Sequence, residues 1–529
     1  MWFLAQFQRL VGVARVLLLD SWSSRALVWS AVGVLFATGL YRYASITLPN
    51  LDVSWLLIAS ERLLAGGTFR NDFYEVNWLM AIMIYCPGVW LSQLLGIGVY
   101  TGLVIFILTL IGGSVFAARQ MLLQVIPEFP AATGFLTVAY AWILFFPHHF
   151  FGQREHLAMV LYLPFVIAAA GRAAGRPLVN PVADVSVSAA AAIGILIKPH
   201  FILLPAAVFA MRLLRERSWR VLLQPDVLTF LVFGIVYLAS IILFYPGWID
   251  VANMALQVYS AYDKDWDALL QTAGTTTGLA VLILIGNRFS NLPLAAKSLI
   301  FHLGITVVVG SIVFVLQRKG WSYQFLPAKI SAALLIPVFL VFHIAAAEPV
   351  KFRRPLLGYF SALCAVLIGL LPVGRDIWRD YHRLMRYHNA PLTQAVRATM
   401  PGEPLFVFSA DVRDAFPMVL LEKRVWASRF PSLWPIPGIV NGLAMASTAQ
   451  QRERLQSLRQ GMIEKTLTDF RRYRPGLVLV PIELNKRWFE TDFDFLTFYR
   501  ADPAFDAVWR GYRPAGRAGN FEFYVRAAP

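Results

Sequence analysis

The sequence predicts a polytopic α-helical membrane protein with an extracytoplasmic α/β domain at its carboxy terminus. Only 15% of the 529 residues are charged, whereas a soluble domain carries about 25%. Apolar runs long enough to cross a bilayer recur through the first 373 positions. After residue 374 the charged residues become frequent and the apolar runs become short. These observations place a membrane region first and a water-exposed domain second.

The membrane region is expected to contain about 11 transmembrane helices. A helix needs about 17–25 apolar residues to cross the hydrocarbon core. Such runs lie near 26–46, 99–118, 131–147, 156–171, 184–197, 201–212, 227–246, 268–286, 298–316, 327–346 and 355–373. Lys198-Pro199-His200 interrupts residues 184–212, so this stretch is either one long broken helix or two shorter helices that meet at a polar point.

A twelfth apolar run, about 79–97, is expected to form an interfacial helix, because Pro87-Gly88 breaks its middle. If this run crossed the membrane, the basic cluster Arg212–Arg220 would move to the outer side. The positive-inside rule therefore predicts a cytoplasmic amino terminus. We expect residues 1–20 to be an amphipathic cytoplasmic lead-in, residues 1–373 to be the membrane module with a first outer loop at 47–78, and residues 374–529 to be extracytoplasmic.

The carboxy-terminal region alternates short apolar segments with amphipathic ones. Residues 405–408 and 477–480 are typical of buried strands, 450–474 of a surface helix, and 506–512 with 521–526 of a hairpin. No glycine-rich phosphate loop is present, so we do not expect a nucleotide-binding module. The net charge of +16 would suggest nucleic acid in a soluble protein. Here it follows from topology, and no nucleic-acid partner is expected.

Ionisable groups at membrane depth are costly and therefore mark functional candidates. The predicted topology brings five polar loops to the outer side. They carry Asp52, Asp72 and Glu75; His148, His149, Gln153, Arg154, Glu155 and His156; Lys198 and His200; Asp250, Asp263 and Asp265; and Arg318, Lys319, Trp321, Tyr323 and Gln324. This convergence predicts a site at the outer surface of the membrane.

Two of these loops resemble those of the GT-C membrane glycosyltransferases, in the branch of the protein O-mannosyltransferases and the lipid A aminoarabinose transferase. The first loop has Asp52 soon after the first span and then D-F-Y-E-x-N at 72–77, and the second has G-Q-R-E-H at 152–156. Asn77-Trp78-Leu79 departs from the N-P-P that the family usually shows. The resemblance implies a GT-C-like module that takes a sugar from a polyprenyl phosphate. It would transfer the sugar to an envelope glycan, lipid or protein acceptor at the outer face of the inner (plasma) membrane.

Glycosyl transfer to a hydroxyl needs a base, and the resemblance assigns that role to Asp52. Its alternative is a helix N-cap. A leaving phosphate needs cations, and Lys198 and Arg154 fit this need, with His200 and His156 as helpers. The alternative for Lys198 is a snorkelling lysine. The alternatives for Arg154 and Glu155 are a local ion pair and an ordinary interfacial anchor. Direct displacement with inversion is the simplest mechanism.

We expect the sugar or the acceptor to be bound by Asp72, Glu75, Glu155, Tyr323 and Gln324. Asp72 and Glu75 would share a face if their segment were helical, and would otherwise cap the next helix. Tyr323 and Gln324 could instead belong to an interfacial aromatic belt. The spacing predicts no metal site, although a divalent metal held by Glu75 and a distant histidine is a further alternative. A lipid-linked sugar transporter, a polysaccharide polymerase or flippase, and an envelope scaffold are the alternative functions.

Overall fold

The computed structural model of the protein describes residues 11, 15, 19–346, 355–400 and 402–527. Most of the predicted lead-in over residues 1–20 lies outside the described residues. The described chain up to residue 346 is almost entirely helical. Its α-helices are α1 Arg25–Tyr41, α2 Leu51–Leu64, α3 Met80–Met83, α4 Cys86–Leu95, α5 Val99–Val125, α6 Pro130–Phe145, α7 Arg154–Ala173, α8 Pro181–Ile195, α9 Leu203–Glu216, α10 Pro225–Phe244, α11 Gly247–Val258, α12 Trp266–Phe289, α13 Leu294–Gln317 and α14 Leu326–Ala345.

Several short 3₁₀ turns and one π-helical turn connect these elements. A π-helical turn at Arg42–Ile46 extends α1. The 3₁₀ turns are Asp20–Ser23, His148–Phe150, Pro199–Ile202, Trp219–Leu223, Tyr259–Tyr262, Ser322–Phe325 and, in the carboxy-terminal region, Val412–Asp414.

Within the described residues, seven helical segments are long and apolar enough to cross a membrane. They are Arg25–Ile46, Val99–Val125, Arg154–Ala173, Pro225–Phe244, Trp266–Phe289, Leu294–Gln317 and Ser322–Ala345. Pro130–Phe145 and Pro181–Ile195 are apolar but shorter. The chain is thus a multi-pass helical membrane protein, as its sequence predicts, and the expected total of about 11 spans stays a prediction.

The interruption within residues 184–212 separates two short helices. Helix α8 ends at Ile195, Lys198 is extended with φ −141° and ψ 136°, and a 3₁₀ turn at Pro199–Ile202 leads into α9. Pro199 cannot donate a backbone hydrogen bond, which disfavours continuation of α8 through it. Of the two alternatives, the structure has two helices that meet at a polar point.

The apolar run at 79–97 is also interrupted, but not where the sequence predicts. The break lies at residues 84 and 85, between α3 and α4, and Pro87 is the second residue of α4. The prediction of a break at Pro87-Gly88 was wrong, because proline is tolerated in the first turn of a helix, where its missing N–H has no intrahelical partner.

The carboxy-terminal region is an α/β domain built around a five-stranded sheet. Its strands are β1 Pro404–Val407, β2 Val425–Trp426, β3 Leu477–Pro481, β4 Tyr512–Ala518 and β5 Phe521–Arg526. They lie in the order β2-β1-β3-β5-β4, with β1 parallel to β2 and β3, and β5 antiparallel to β3 and β4. Helix α15 Pro355–Asn389 leads into this domain, and the further helices are α16 Pro391–Arg397, α17 Met418–Leu421, α18 Pro435–Met445, α19 Ala449–Tyr473, α20 Phe495–Arg500 and α21 Pro503–Trp509.

The predicted strands at 405–408 and 477–480 and the surface helix at 450–474 correspond to β1, β3 and α19. The hairpin exists, but its first strand is β4 and not 506–512. Residues 503–509 form α21 instead, because the Asp502 side chain accepts hydrogen bonds from the amides of Ala504 and Phe505 and Pro503 begins the helix.

The chain divides into two compact units. The first comprises residues 1–47, 90–239 and 264–380, and the second comprises 48–89, 240–263 and 381–529. The first outer loop therefore belongs to the same unit as the carboxy-terminal sheet. The predicted boundary at residues 373 and 374 falls inside α15 and stays a prediction.

Candidate functional site

The first group of polar side chains lies in the first unit, at the start of α7. A left-handed Gly152, with φ +77°, turns the chain so that Gln153 precedes the helix and Arg154, Glu155 and His156 form its first turn. All three side chains of that turn are buried, and Glu155 is fully inaccessible to solvent. A helix amino terminus carries partial positive charge, so it suits a carboxylate such as that of Glu155 or another anion.

Lys198 reaches this turn from the break between α8 and α9. Its ammonium group donates to Oε1 of Glu155, and the two side chains are 7% and 0% exposed. Tyr323, in the 3₁₀ turn before α14, places its ring centroid 5.2 Å from Lys198 Nζ and 5.9 Å from the guanidinium carbon of Arg154. The second, third and fifth polar loops therefore meet within the first unit, and the predicted convergence of all five loops stays a prediction.

Two buried oxygens of this cluster have no hydrogen-bond partner among the described residues. They are Oε2 of Glu155 and Oε1 of Gln324, whose residue is 3% exposed. A buried oxygen without a donor costs about 1–3 kcal/mol. Glu155 thus offers an open acceptor beside the ammonium group of Lys198, and Gln324, the chain neighbour of Tyr323, offers a second one. Hydroxyl groups of a ligand are suited to such acceptors.

The two histidines of the predicted phosphate set are placed differently. His156 is buried, with Nε2 2.8 Å from the carbonyl oxygen of Leu144 and Nδ1 3.3 Å from the amide of Gly152. Both of its ring nitrogens are thus engaged by the backbone, and His156 fixes the loop before α7. His200 is exposed, one residue beyond Pro199 in the 3₁₀ turn. Direct phosphate binding by either histidine stays a prediction.

A further ionic network in the first unit was not predicted from the sequence. The buried Arg42 donates to Asp380 Oδ2 through Nε at 2.9 Å and Nη2 at 2.8 Å. Thr47 donates to the same oxygen at 3.1 Å, and His148 Nδ1 lies 2.7 Å from Asp376 Oδ2. Asp376 and Asp380 are four residues apart on α15 and so lie on the same face of that helix. This pair of carboxylates, together with the arginine at the end of the first span, is the sequence signal that could have identified the network.

The second group of predicted side chains lies in the second unit, on the first outer loop. Asp52 is the second residue of α2 and is half-buried. The N-cap of this helix is Asn50, whose side-chain oxygen accepts from the Asp52 amide at 3.0 Å. The capping role that was the alternative for Asp52 is therefore filled by Asn50.

Asp72 and Glu75 hold the loop that follows α2. Asp72 accepts from the amide of Thr68 at 2.8 Å and pairs with Arg472 at 2.7 Å. Burial alone would raise the pKa of Asp72, but the bonds from Thr68 and Arg472 outweigh it and lower that pKa. Glu75 is buried and accepts from the indole N–H of Trp55 at 2.6 Å and from the amide of Asn77 at 2.8 Å.

Asp72 and Glu75 would share a helix face only if their segment were helical, and it is not. Residues 70–78 form turns and extended backbone rather than a helix. Thr68 and Asp72 close a turn, and Gly67 meets the carbonyl oxygen of Arg62 so closely that a Cβ there would lie 2.7 Å from it. The roles of both carboxylates in sugar binding stay predictions.

Arg62 fastens the first outer loop to the carboxy-terminal domain within the second unit. Its Nη1 donates to the carbonyl oxygens of Asp72 at 2.6 Å and Ser428 at 2.7 Å, and its Nη2 donates to that of Trp426. Nearby, the buried Arg429 pairs with Asp469 at 2.9 Å, and its backbone oxygen accepts from the amide of Tyr74. The loop after α2, the helix that carries Asp52, is therefore held in place by β2 and by the residues directly after β2.

Replacing Arg62 with methionine is expected to loosen this loop. Hydrogen bonds to a charged group contribute about 1.5–3 kcal/mol each, and the substitution leaves three carbonyl oxygens without their donor. We expect faster hydrogen–deuterium exchange in peptides that cover residues 66–76, measured by mass spectrometry on the full chain in nanodiscs. Arg454→Met, at an exposed position on α19, is the matched control and should leave exchange unchanged. Equal exchange in the two variants would contradict the assigned role of Arg62.

The fourth polar loop joins the first in the second unit. Arg70 Nε donates to Asp250 Oδ2 at 2.9 Å, and Trp248 Nε1 donates to the carbonyl oxygen of Asn77 at 3.0 Å. Residues 66–71 and 244–247 line a cavity of about 630 Å³ together with Leu63. The five predicted loops thus form two groups, one in each unit, with Lys198 in the first and Asp52 in the second.

A metal site was an alternative for Glu75 with a distant histidine. Within the part of the chain that the structure describes, no group of three or more His, Cys, Asp or Glu side chains is placed to hold a metal ion. Glu75 is instead engaged by Trp55 and Asn77.

Comparison with known proteins gives structural likenesses only. No family model matches the chain, and no curated protein matches it. Its structure is similar to that of ArnT from Cupriavidus metallidurans bound to undecaprenyl phosphate, at 13% identity over 96% of this chain and 100% of that chain, with a TM-score of 0.49.

Two further structures have a similar layout. The apo state of the same ArnT aligns at 13% identity and a TM-score of 0.42 over 96% of this chain and all of that chain. Arabinofuranosyltransferase AftD from Mycobacteria aligns at 14% identity and a TM-score of 0.43 over 96% of this chain, which is 40% of AftD. At these identities and TM-scores, the function of the chain has to be argued from its own residues.

Proposed function

We propose that this chain is a membrane glycosyltransferase that takes a sugar from a polyprenyl-phosphate donor and transfers it to an envelope glycan, lipid or protein. The observation that carries the proposal is the buried cluster of Lys198, Glu155, Arg154 and Tyr323 in a helical membrane protein. Charged groups inside a membrane region are costly and are retained where a ligand or a reaction needs them.

The donor half of the site follows from charge. A lipid phosphate has its tail in the bilayer and carries negative charge that increases on the bridging oxygen as the sugar leaves. Lys198 and Arg154 supply two buried cations, and in a site of low dielectric their attraction for this charge is larger than in water. Glu155 Oε2 and Gln324 Oε1 then accept bonds from sugar hydroxyls, and Tyr323 packs beside both cations. His200 and His156 are proposed as helpers of the phosphate site.

The acceptor half of the site is proposed around Asp52. In a single displacement, the acceptor oxygen forms a bond to the anomeric carbon as the bond from that carbon to the phosphate oxygen breaks. The electron pair leaves with the phosphate, and the hydroxyl proton goes to the Asp52 carboxylate. Attack opposite the leaving group inverts the anomeric configuration. Asp72 and Glu75, which shape the loop beside Trp55, are proposed to help bind the acceptor.

The proposed orientation places both groups on the outer face of the inner (plasma) membrane. The amino terminus lies in the cytoplasm and residues 374–529 lie outside, as the distribution of basic residues favours. Membrane lipids surround the helices, and the polyprenyl phosphate enters from the bilayer.

The test is a transfer assay with the full chain in liposomes that contain undecaprenyl-phosphate-linked glucose, mannose, galactose or arabinose. An envelope extract from cells that lack the protein supplies acceptors. We expect one donor to be consumed, with release of undecaprenyl phosphate and labelling of an envelope component detected by mass spectrometry. A lipid-linked sugar transporter would move the donor between leaflets intact. That outcome, or no consumption of any donor, would overturn the proposal.

A further inference from the structure

A cluster of aromatic rings lies in the second unit, apart from the residues used so far. Tyr259 and Tyr262 belong to one 3₁₀ turn and their ring centroids are 5.3 Å apart. Trp488 packs 4.9 Å from Tyr262, and Trp434 packs 5.4 Å from Tyr259. The Tyr262 hydroxyl donates to the carbonyl oxygen of Trp434 at 2.8 Å. The cluster is thus fixed in place, with Trp488 and Tyr259 half-buried and accessible.

Charged side chains border these rings. The guanidinium carbon of Arg487 lies 4.3 Å from the centroid of Trp488, and Arg487 Nη1 is 3.8 Å from Asp411 Oδ2. Arg413 pairs with the same carboxylate, and both arginine side chains are 55% exposed. The rim therefore offers guanidinium donors and carboxylate acceptors next to an aromatic surface.

The backbone at Trp488 is held in an unfavourable conformation. Its φ is +78°, in a region that L-residues with bulky side chains rarely adopt. The buried Asn441 holds this turn on both sides, because its amide nitrogen donates to the carbonyl oxygen of Trp488 at 3.0 Å and its oxygen accepts from the Glu490 amide at 3.3 Å. Strain that the surroundings maintain is concentrated at ligand-binding positions.

The cluster is connected to the helix that carries Asp52. The 3₁₀ turn Val412–Asp414, which begins one residue after Asp411, packs against α2. Asp411 also acts electrostatically on Tyr262, whose pKa is raised mainly by burial and further by the charges of Tyr259 and Asp411. The rings, their ionic rim and the Asp52 helix therefore belong to one continuous part of the second unit.

We propose that Trp488, Tyr259, Tyr262, Arg487 and Asp411 form a carbohydrate-binding platform that holds a sugar ring of the acceptor. This inference rests on the proposed function, and it narrows the acceptor class from glycan, lipid or protein to a molecule with a carbohydrate chain. The C–H face of a sugar ring packs on the indole of Trp488. Its hydroxyls donate to Asp411 and accept from Arg487.

The guanidinium group of Arg487 lies over the face of the Trp488 indole on which the sugar ring would pack. An exposed cation–π contact contributes about 0.5–1 kcal/mol, so a sugar ring can displace the guanidinium at low cost. The displaced Arg487 remains within reach of Asp411 and of the sugar hydroxyls. A cationic ligand fits this surface poorly, because two arginines already neutralise Asp411.

The experiment measures binding of neutral hexasaccharides to the full chain in nanodiscs. The probes are maltohexaose, cellohexaose and chitohexaose, and a serine- and threonine-rich decapeptide represents a protein acceptor. Saturation-transfer NMR gives the dissociation constants. We expect saturable binding of at least one hexasaccharide, and we expect Trp488→Gly to weaken it at least tenfold. Glycine adopts the positive φ of this position without strain, so the substitution removes the ring while keeping the turn, and the melting temperature should not fall.

Trp219→Ala, at an exposed tryptophan in another 3₁₀ turn, is the matched control and should bind as the wild type does. Asp411→Asn should weaken binding several-fold as an independent test of the rim. The platform is refuted if no hexasaccharide binds the wild type, if Trp488→Gly binds equally well, or if the decapeptide binds in preference. Undecaprenyl phosphate binding, measured on the same samples, should not depend on Trp488. Its absence from the wild type would refute the proposed function, whatever the hexasaccharides do.

Discussion

Replacing Asp52 with asparagine is expected to lower the kcat of sugar transfer by about 10²–10⁴-fold, which is the usual contribution of a general base. Asparagine has the size of aspartate but cannot accept a proton from the acceptor hydroxyl. The N-cap of α2 is Asn50 and remains in place, so the melting temperature should change little. Undecaprenyl phosphate binding should also persist, because Lys198 and Arg154 are unchanged. The rate is measured in the liposome transfer assay.

Asp267→Asn is the matched control for this substitution. Asp267 is the second residue of α12, as Asp52 is of α2, and its side chain is exposed. Each substitution removes one carboxylate from the first turn of a helix, where the helix dipole favours negative charge by about 0.3–1 kcal/mol. A loss of transfer confined to Asp52→Asn would therefore reflect chemistry rather than helix stability. Full activity of Asp52→Asn would remove the assigned base.

The sequence was most informative where a polar residue interrupts an apolar run. Lys198 with Pro199 predicted either one long broken helix or two helices that meet at a polar point, since proline disfavours helix continuation and a charge in the membrane needs a partner. The structure supplies that partner in Glu155 and adds Tyr323. The buried strands β1 and β3 were equally predictable, because a short continuous apolar run within a charged region is typical of a strand in the core of a sheet.

The sequence was least informative where long-range packing decides the outcome. Nothing near Asp72 and Glu75 in the sequence indicates that Arg472 pairs with the first and Trp55 donates to the second. The ring cluster combines Tyr259, Trp434 and Trp488, which are separated along the chain by more than 50 residues at each step. Such sets arise from tertiary contacts that leave no periodic signal, so only the fold brings them together.

Replacing Lys198 with methionine is expected to have the largest effect on stability as well as on donor binding. The substitution leaves the fully buried Glu155 carboxylate without its ion-pair partner. Breaking a buried pair by removing one member costs about 3–5 kcal/mol, because the remaining charge is uncompensated. We expect a clear fall in the melting temperature in nanodiscs. We also expect at least about a tenfold loss of undecaprenyl phosphate affinity, since a charge-assisted hydrogen bond contributes about 1.5–3 kcal/mol.

The double variant Lys198→Met, Glu155→Gln separates these two effects. Removing both members of a buried pair is often neutral for stability, so the melting temperature should recover most of its loss. Affinity for undecaprenyl phosphate should not recover, because the cation that faces the phosphate is still missing. The single variant Glu155→Gln should bind undecaprenyl phosphate at least as tightly as the wild type, since it removes the carboxylate that competes for Lys198. If the double variant bound the lipid like the wild type, Lys198 would be a structural ion-pair partner, and the donor phosphate would have to be held by other cations.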